Sequence, residues 1–182
     1  ARVNKDVLDL STEILGEDDI FVPQSLNNLA NAISDRGNAL LAKGDAEAAL
    51  AAHEEAVAYS ARAVERDANP MWRNGLSFSY IELGRLYAAV GKNDDAQATF
   101  QKALDTIAPV LDATEEGKLP QGMRAYFIDT RVQALLELGR VEEARPLVES
   151  LLEQGWDDSD FLTLCKKHGL YQDNEAEPTR EP

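Results

Sequence analysis

Apolar residues recur along this chain at helical spacing, in long runs that break at glycine. Before Gly91, Leu76, Tyr80, Leu83, Tyr87 and Val90 fall at steps of four, three, four and three; after it, Ala96, Phe100, Ala103, Ile107 and Val110 repeat the stripe. Such a stripe is the apolar face of an amphipathic helix, so two helices meet at Gly91 with those faces toward each other. The same arrangement surrounds Gly44, in LLAKGDAEAAL, and Gly139, in LLELGRVEEAR. Glycine takes the left-handed conformation that ends a helix, and the acidic or polar residues after each glycine favour a new N-terminus. Gly44 and Gly91 lie 47 residues apart and Gly91 and Gly139 lie 48 apart, a regularity that marks a repeat. Three helical hairpins are expected, over about residues 24–67, 70–112 and 119–154. In the first, Ala49, Ala56 and Ala63 sit beside Leu50, Val57 and Val64 and predict close helix packing. A lone hairpin cannot bury its apolar face, so stacking into a curved all-α superhelix, a solenoid with one concave side, follows.

The ends read differently from the middle. Residues 3–15 can form a helix, broken by Gly16 and the acidic Glu17, Asp18 and Asp19, that caps the first hairpin. Asp158 or Ser159 can cap a short C-terminal helix over about 158–168, stopped by Gly169, with Phe161, Leu162 and Leu164 available for burial. Residues 1–171 therefore read as a single domain. Residues 172–182 are polar, with two prolines and no large apolar side chain, and read as a disordered acidic tail. Pro109 and Pro146 predict kinks or early helix ends. The stretch 112–121, with Gly117 and Pro120, predicts a loop between the second and third hairpins.

Within the middle hairpin, Tyr80-x-x-Leu83-Gly84-x-x-Tyr87 followed by Ala96-x-x-x-Phe100 and Ala103 resembles the tetratricopeptide repeat, with Tyr80 where that family prefers Trp. The first repeat keeps Gly37, Leu40, Ala49 and Ala56 but carries Arg36 and His53 at large apolar positions. The third keeps Leu135, Gly139 and Ala144 but has Arg131 and Val132 in place of Leu-Gly. The period exceeds the family's usual ~34 residues, with both arms of each hairpin longer by about two turns. Seven residues is close to two turns, so the register can slide by that amount without changing the apolar face. Trp72-x-x-x-Leu76-Ser77-x-Ser79, with Gly84 and Gly91, is similar to a bacterial subclass of elongated tetratricopeptide repeats. Ser25-Leu26-Asn27-Asn28-Leu29-Ala30 resembles a helix of kinesin-light-chain-like repeats. Together these resemblances cover residues 24–154 and imply a protein-binding scaffold of about three elongated hairpins with capping helices at both ends. They name no partner.

Charge and composition narrow the chemistry. The net charge of −15, from 33 acidic and 18 basic residues, repels phosphate backbones and anionic lipid, which disfavours nucleic-acid and membrane partners. The same field attracts a partner with a basic segment. Cys165 is the sole cysteine, so no intramolecular disulfide can form and a cytoplasmic location is the expectation. No apolar run approaches the roughly 18 residues of a membrane span, and no signal-peptide pattern follows Ala1. Two histidines and one cysteine form no catalytic spacing, so the chain is not expected to be an enzyme. His53 falls on a core-facing position. Cys165 and His168 are three apart on one short helix, but two ligands do not make a metal site. The acidic pairs Glu142-Glu143 and Asp157-Asp158 sit at helix starts, where the macrodipole accounts for them. Neither a calcium loop nor a phosphate loop is present. No cofactor, metal ion or catalytic residue is expected.

The tetratricopeptide resemblance implies that the first helix of each hairpin lines the concave face. The residues one stripe away from its core are Asn27, Asn31, Ser34 and Asn38 in the first hairpin, Asn74, Phe78, Ile81 and Arg85 in the second, and Tyr126, Asp129 and Gln133 in the third. Asparagine amides can donate to and accept from a peptide backbone, while Phe78, Ile81 and Tyr126 suit apolar side chains. The cations of the carboxylate clamp found in chaperone-associated repeats are missing, with Ser34, Glu82 and Thr130 in that region. Arg85 alone is placed to pair with a ligand carboxylate. The expected function is an interaction scaffold that holds a peptide segment of a partner protein in the groove. The alternative is a small acidic export chaperone of the tetratricopeptide type, whose repeats hold the shorter period. A third reading is self-association through stacked end repeats.

Overall fold

Gly44, Gly91 and Gly139 adopt φ of 82°, 79° and 72°, the left-handed values the sequence calls for. Each turn closes with the same pair of bonds. The Gly91 N–H donates to the Ala88 carbonyl and the Lys92 N–H to that of Tyr87, with equivalents at Gly44 to Leu41, Asp45 to Leu40, Gly139 to Leu136 and Arg140 to Leu135. This pair of hydrogen bonds satisfies carbonyls that a helix end would otherwise leave unpaired. The computed structural model describes residues 21–115 and 121–172. The expected N-terminal cap and the tail beyond Gln172 lie outside the described residues.

Seven helices occupy the described residues: α1 (Phe21–Ala42), α2 (Ala46–Arg66), α3 (Pro70–Ala89), α4 (Asn93–Glu115), α5 (Gln121–Glu137), α6 (Val141–Glu153) and α7 (Ser159–Lys167). Their starts are locally written. The Asp45 carboxylate accepts from the Ala48 N–H, the Asn69 amide from that of Met71 ahead of Pro70, and the Asp158 carboxylate from those of Asp160 and Phe161. Pro109 and Pro146 correct the expectation of early ends, because α4 runs on to Glu115 and α6 to Glu153. Each proline removes one backbone bond, but Val110 and Leu111 beyond the first, and Val148 and Leu151 beyond the second, are buried and hold the following turns in place. The connection expected over 112–121 shortens accordingly.

From α1 to α6 each helix packs against the next, giving an all-α helical-repeat solenoid. The first helices α1, α3 and α5 also touch one another in succession, and α7 packs on α5, whereas α2, α4 and α6 make no comparable contact among themselves. Helices that converge on one side and diverge on the other bend the stack, which puts α1, α3 and α5 on its inner side.

Volume at each hairpin's centre is shared between its two helices. A Cβ on Gly84 of α3 would lie 2.5 Å from the Phe100 ring of α4, and a Cβ on Gly37 of α1 would lie 2.6 Å from the His53 ring of α2. Glycine therefore makes room for a ring in both hairpins. In the third hairpin the corresponding positions are Val132 and Val148, both buried, so two medium side chains replace a small and a large one. The flanking hairpins thus depart from the middle one without losing the fold. The apolar interior holds two clusters, with Leu76, Leu83, Leu86 and Phe100 buried besides them. One, from Val22 to Ala63, lies in α1 and α2 with Trp72 of α3 packed against it; the other runs from Ile81 through α4 to Cys165. Between α2 and α3 the Ser60 and Ser79 hydroxyls bond at 2.9 Å.

Candidate functional site

Seven of the eleven residues singled out on the inner stripe share one cavity of about 380 Å³. Asn27, Asn31, Ser34 and Asn38 form its α1 wall, Asn74 and Phe78 belong to its α3 wall, and Tyr126 of α5 closes one end. The cavity also takes in Asp35, Met71, Trp72, Gly75, Ser79 and Glu82, which the stripe omitted. Gly75 has a steric reason to be there: a Cβ would sit 2.5 Å from Asn27 Oδ1, so α1 can bring an amide against the α3 backbone.

Ile81, Arg85, Asp129 and Gln133 stand elsewhere. Ile81 is 0% exposed and belongs to the C-terminal core. One residue turns a helix by about 100°, so a step of three from Phe78 swings back by about 60° and a step of four forward by about 40°. The forward step leads to Glu82, on the cavity, and the backward step carries Ile81 into the core. Extending the stripe by fours, from Asn74 through Phe78 to Glu82, would have found it.

Arg85 is not placed for a ligand carboxylate, because the protein supplies its own. Its Nε donates to Glu137 Oε1 at 2.6 Å, Nη1 to Glu82 Oε1 at 3.1 Å and Nη2 to Gln133 Oε1 at 3.1 Å. Gln133 Nε2 donates in turn to Asp129 Oδ1 at 3.0 Å, and Trp156 Nε1 to Asp129 Oδ2 at 3.0 Å. Asp129 and Gln133 are buried within this network, which ties α3 to α5 and to the turn before α7. Burial pushes the Asp129 carboxyl up to about 6 against the bonds from Gln133 and Trp156, which pull it down. The network thus separates the cavity beside α1 and α3 from a second one of about 330 Å³, which Arg85 and Glu137 line with Asp160, Thr163, Leu164 and Lys167 of α7.

Rigid neighbours hold the open part. The Tyr126 ring meets the Phe127 and Trp156 rings edge-on, with centroids 6.4 Å away in each case. Trp72 Nε1 donates to Asp67 Oδ2 at 3.1 Å. Asn38 Oδ1 accepts from His53 Nε2 at 3.1 Å, and burial pulls the His53 imidazole below its ordinary range despite the Glu82 charge. Among the described residues, seven large apolar side chains are exposed. Six of them, Phe21, Leu41, Met71, Phe78, Met123 and Tyr126, lie on the inner helices, Leu41 in the last turn of α1, while Val90 lies at a hairpin turn. Val90, the last position of its apolar stripe, caps α3 and so escapes burial.

No group of three or more His, Cys, Asp or Glu among the described residues is arranged to hold a metal ion. Cys165 is buried, and its thiol is pushed up to about 11 by burial and the Asp129 charge. No helix among the described residues is long and apolar enough to cross a membrane.

Two family models, each for the tetratricopeptide repeat, match residues 79–107 and residues 130–150. The first match spans the Gly91 turn and contains Tyr80, Leu83, Gly84, Tyr87, Ala96, Phe100 and Ala103; the second spans the Gly139 turn. No curated protein matches the chain. Repeats of this kind generally mediate protein–protein interaction, and proteins built from them are generally non-enzymatic scaffolds. The two matches fall on successive glycine turns of stacked helical hairpins, and over those stretches, 29 and 21 of the 182 residues, the chain is similar to tetratricopeptide repeats.

Proposed function

We propose that this protein is an interaction scaffold that holds a segment of another protein in the cavity between α1 and α3. One observation carries the reading: Phe78 and Tyr126, 41% and 48% exposed, stand in the same cavity as a row of α1 amides. Large apolar side chains held at the surface of a folded domain mark interaction sites when they cluster. Amides beside them can bond both the donors and the acceptors of an extended backbone. At about 380 Å³ the cavity falls within the usual range for ligand sites. It suits a few residues of a peptide, with the remainder running along the inner helices.

The test is a paired substitution, Phe78→Ser with Tyr126→Ser, in the full chain. Both side chains are exposed, so helical circular dichroism should be unchanged. A partner that binds the wild-type protein should be lost from the double variant and retained by a control change on the outer helix α4, Ala98→Ser. Undiminished binding by the folded double variant would remove the cavity from the account.

A further inference from the structure

Resting on that reading and narrowing it, we infer that the cavity accepts an arginine side chain from the bound segment. Its hydrogen-bonding capacity is unbalanced. Asn74 is 3% exposed, and its Oδ1 is buried without a partner; Asn27 Oδ1 is in the same condition. Both residues line the cavity. A buried carbonyl lacking a donor is destabilising, and two beside one opening call for a ligand rich in N–H groups. The Asn χ2 torsion is soft, so a small turn of either amide presents its oxygen to that ligand.

The charge has the same sense. Among the described residues, Asp35 and Glu82 line the cavity and no lysine or arginine does. Glu82 is shared with Arg85, while Asp35 is exposed and has no ion pair among the described residues. The chain's net charge of −15 adds a long-range field that draws cations in. Trp72, Phe78 and Tyr126 supply aromatic surface. A guanidinium matches this set better than an ammonium. It is planar, carries five donors, is weakly hydrated and stacks on rings, whereas lysine presents a compact, strongly hydrated charge.

The experiment titrates the full chain with acetyl-Gly-Ala-Arg-Ala-Gly-amide and with two analogues in which lysine or citrulline replaces arginine. Citrulline keeps the shape and removes the charge. Calorimetry gives affinity, and side-chain amide NMR signals report Asn27 and Asn74. The arginine peptide should bind at least about tenfold more tightly than either analogue, a difference of about 1.4 kcal/mol, and should shift both amide signals. Asn74→Ala should weaken it by about tenfold while leaving the melting temperature unchanged or higher, since an unmatched buried carbonyl is removed. Asp35→Asn, at an exposed position, provides a second variant with no folding liability. Equal binding of the citrulline or lysine peptide overturns the inference. So does no binding of the arginine peptide, or full binding by both variants. A partner that is lost on changing Phe78 and Tyr126 but needs no arginine would leave the scaffold reading standing and this inference alone refuted.

Discussion

Asp129 offers the sharpest test of how the inner face is built. Its carboxylate accepts from Gln133 and Trp156 and lies near Arg85, all of which favour the ionised form, yet burial at 5% exposure outweighs them and lifts the group from 3.8 to about 6. A carboxylate whose folded value lies above its unfolded value holds its proton longer in the native state. Native Asp129 is therefore protonated between those values while the unfolded chain has already lost the proton, so stability falls as pH rises through that window. The whole shift corresponds to about 3 kcal/mol, of which about 2 kcal/mol falls between about pH 4.5 and about pH 7.5. Many other acidic groups titrate in the same range, so the measurement is a difference. Asp129→Asn keeps the shape and cannot ionise. Urea unfolding of both proteins across that range should show wild type losing about 2 kcal/mol relative to the variant. A flat difference would mean that burial and the bonds cancel. A rising one would mean that Gln133, Trp156 and Arg85 win, and the dominance of burial over hydrogen bonding at Asp129 would be refuted.

Three further outcomes follow from packing. Gly84→Ala places a Cβ 2.5 Å from the buried Phe100 ring; the overlap costs about 1–3 kcal/mol and exceeds the ~1 kcal/mol gained in helix propensity, so thermal unfolding should shift down, with Phe100→Leu restoring part of the loss. Phe161→Ala empties a fully buried site on α7 and should cost about 3–5 kcal/mol in urea unfolding, whereas a loss below about 1 kcal/mol would show that α7 is not part of the core. Cys165, buried and with its thiol pushed up to about 11, should react with a disulfide reagent at about pH 8 only as fast as the protein opens, and at once in denaturant.

The hairpins were legible because their signals are local. A glycine turn and its two bonds involve residues within five positions of each other, and an apolar stripe declares its face within one helix. The asparagine row of α1 was legible for the same reason. The network around Arg85 was not, because it depends on Gln133 and Glu137, which are 48 and 52 positions away, and nothing near Arg85 in sequence announces them. Ile81 lies three positions after Phe78 and Glu82 four, and a 3.6-residue period leaves open which of the two shares the face of Phe78. Gly75 shows a different limit: its role is to leave space for Asn27, and a residue that acts by lacking a side chain has no pattern of its own.

Two apolar clusters with the Ser60–Ser79 pair between them make the molecule divisible. In a linear stack, stability is distributed unit by unit and ends can open while the rest stays closed. Amide protons of α1 and α2 should therefore exchange through a partial opening that spares α4 to α7. The cavity bridges that division with α1 on one bank and α3 on the other, and takes no residue from α2. Whatever settles there works as a clasp, and slower exchange in α2, which it never touches, would be its signature.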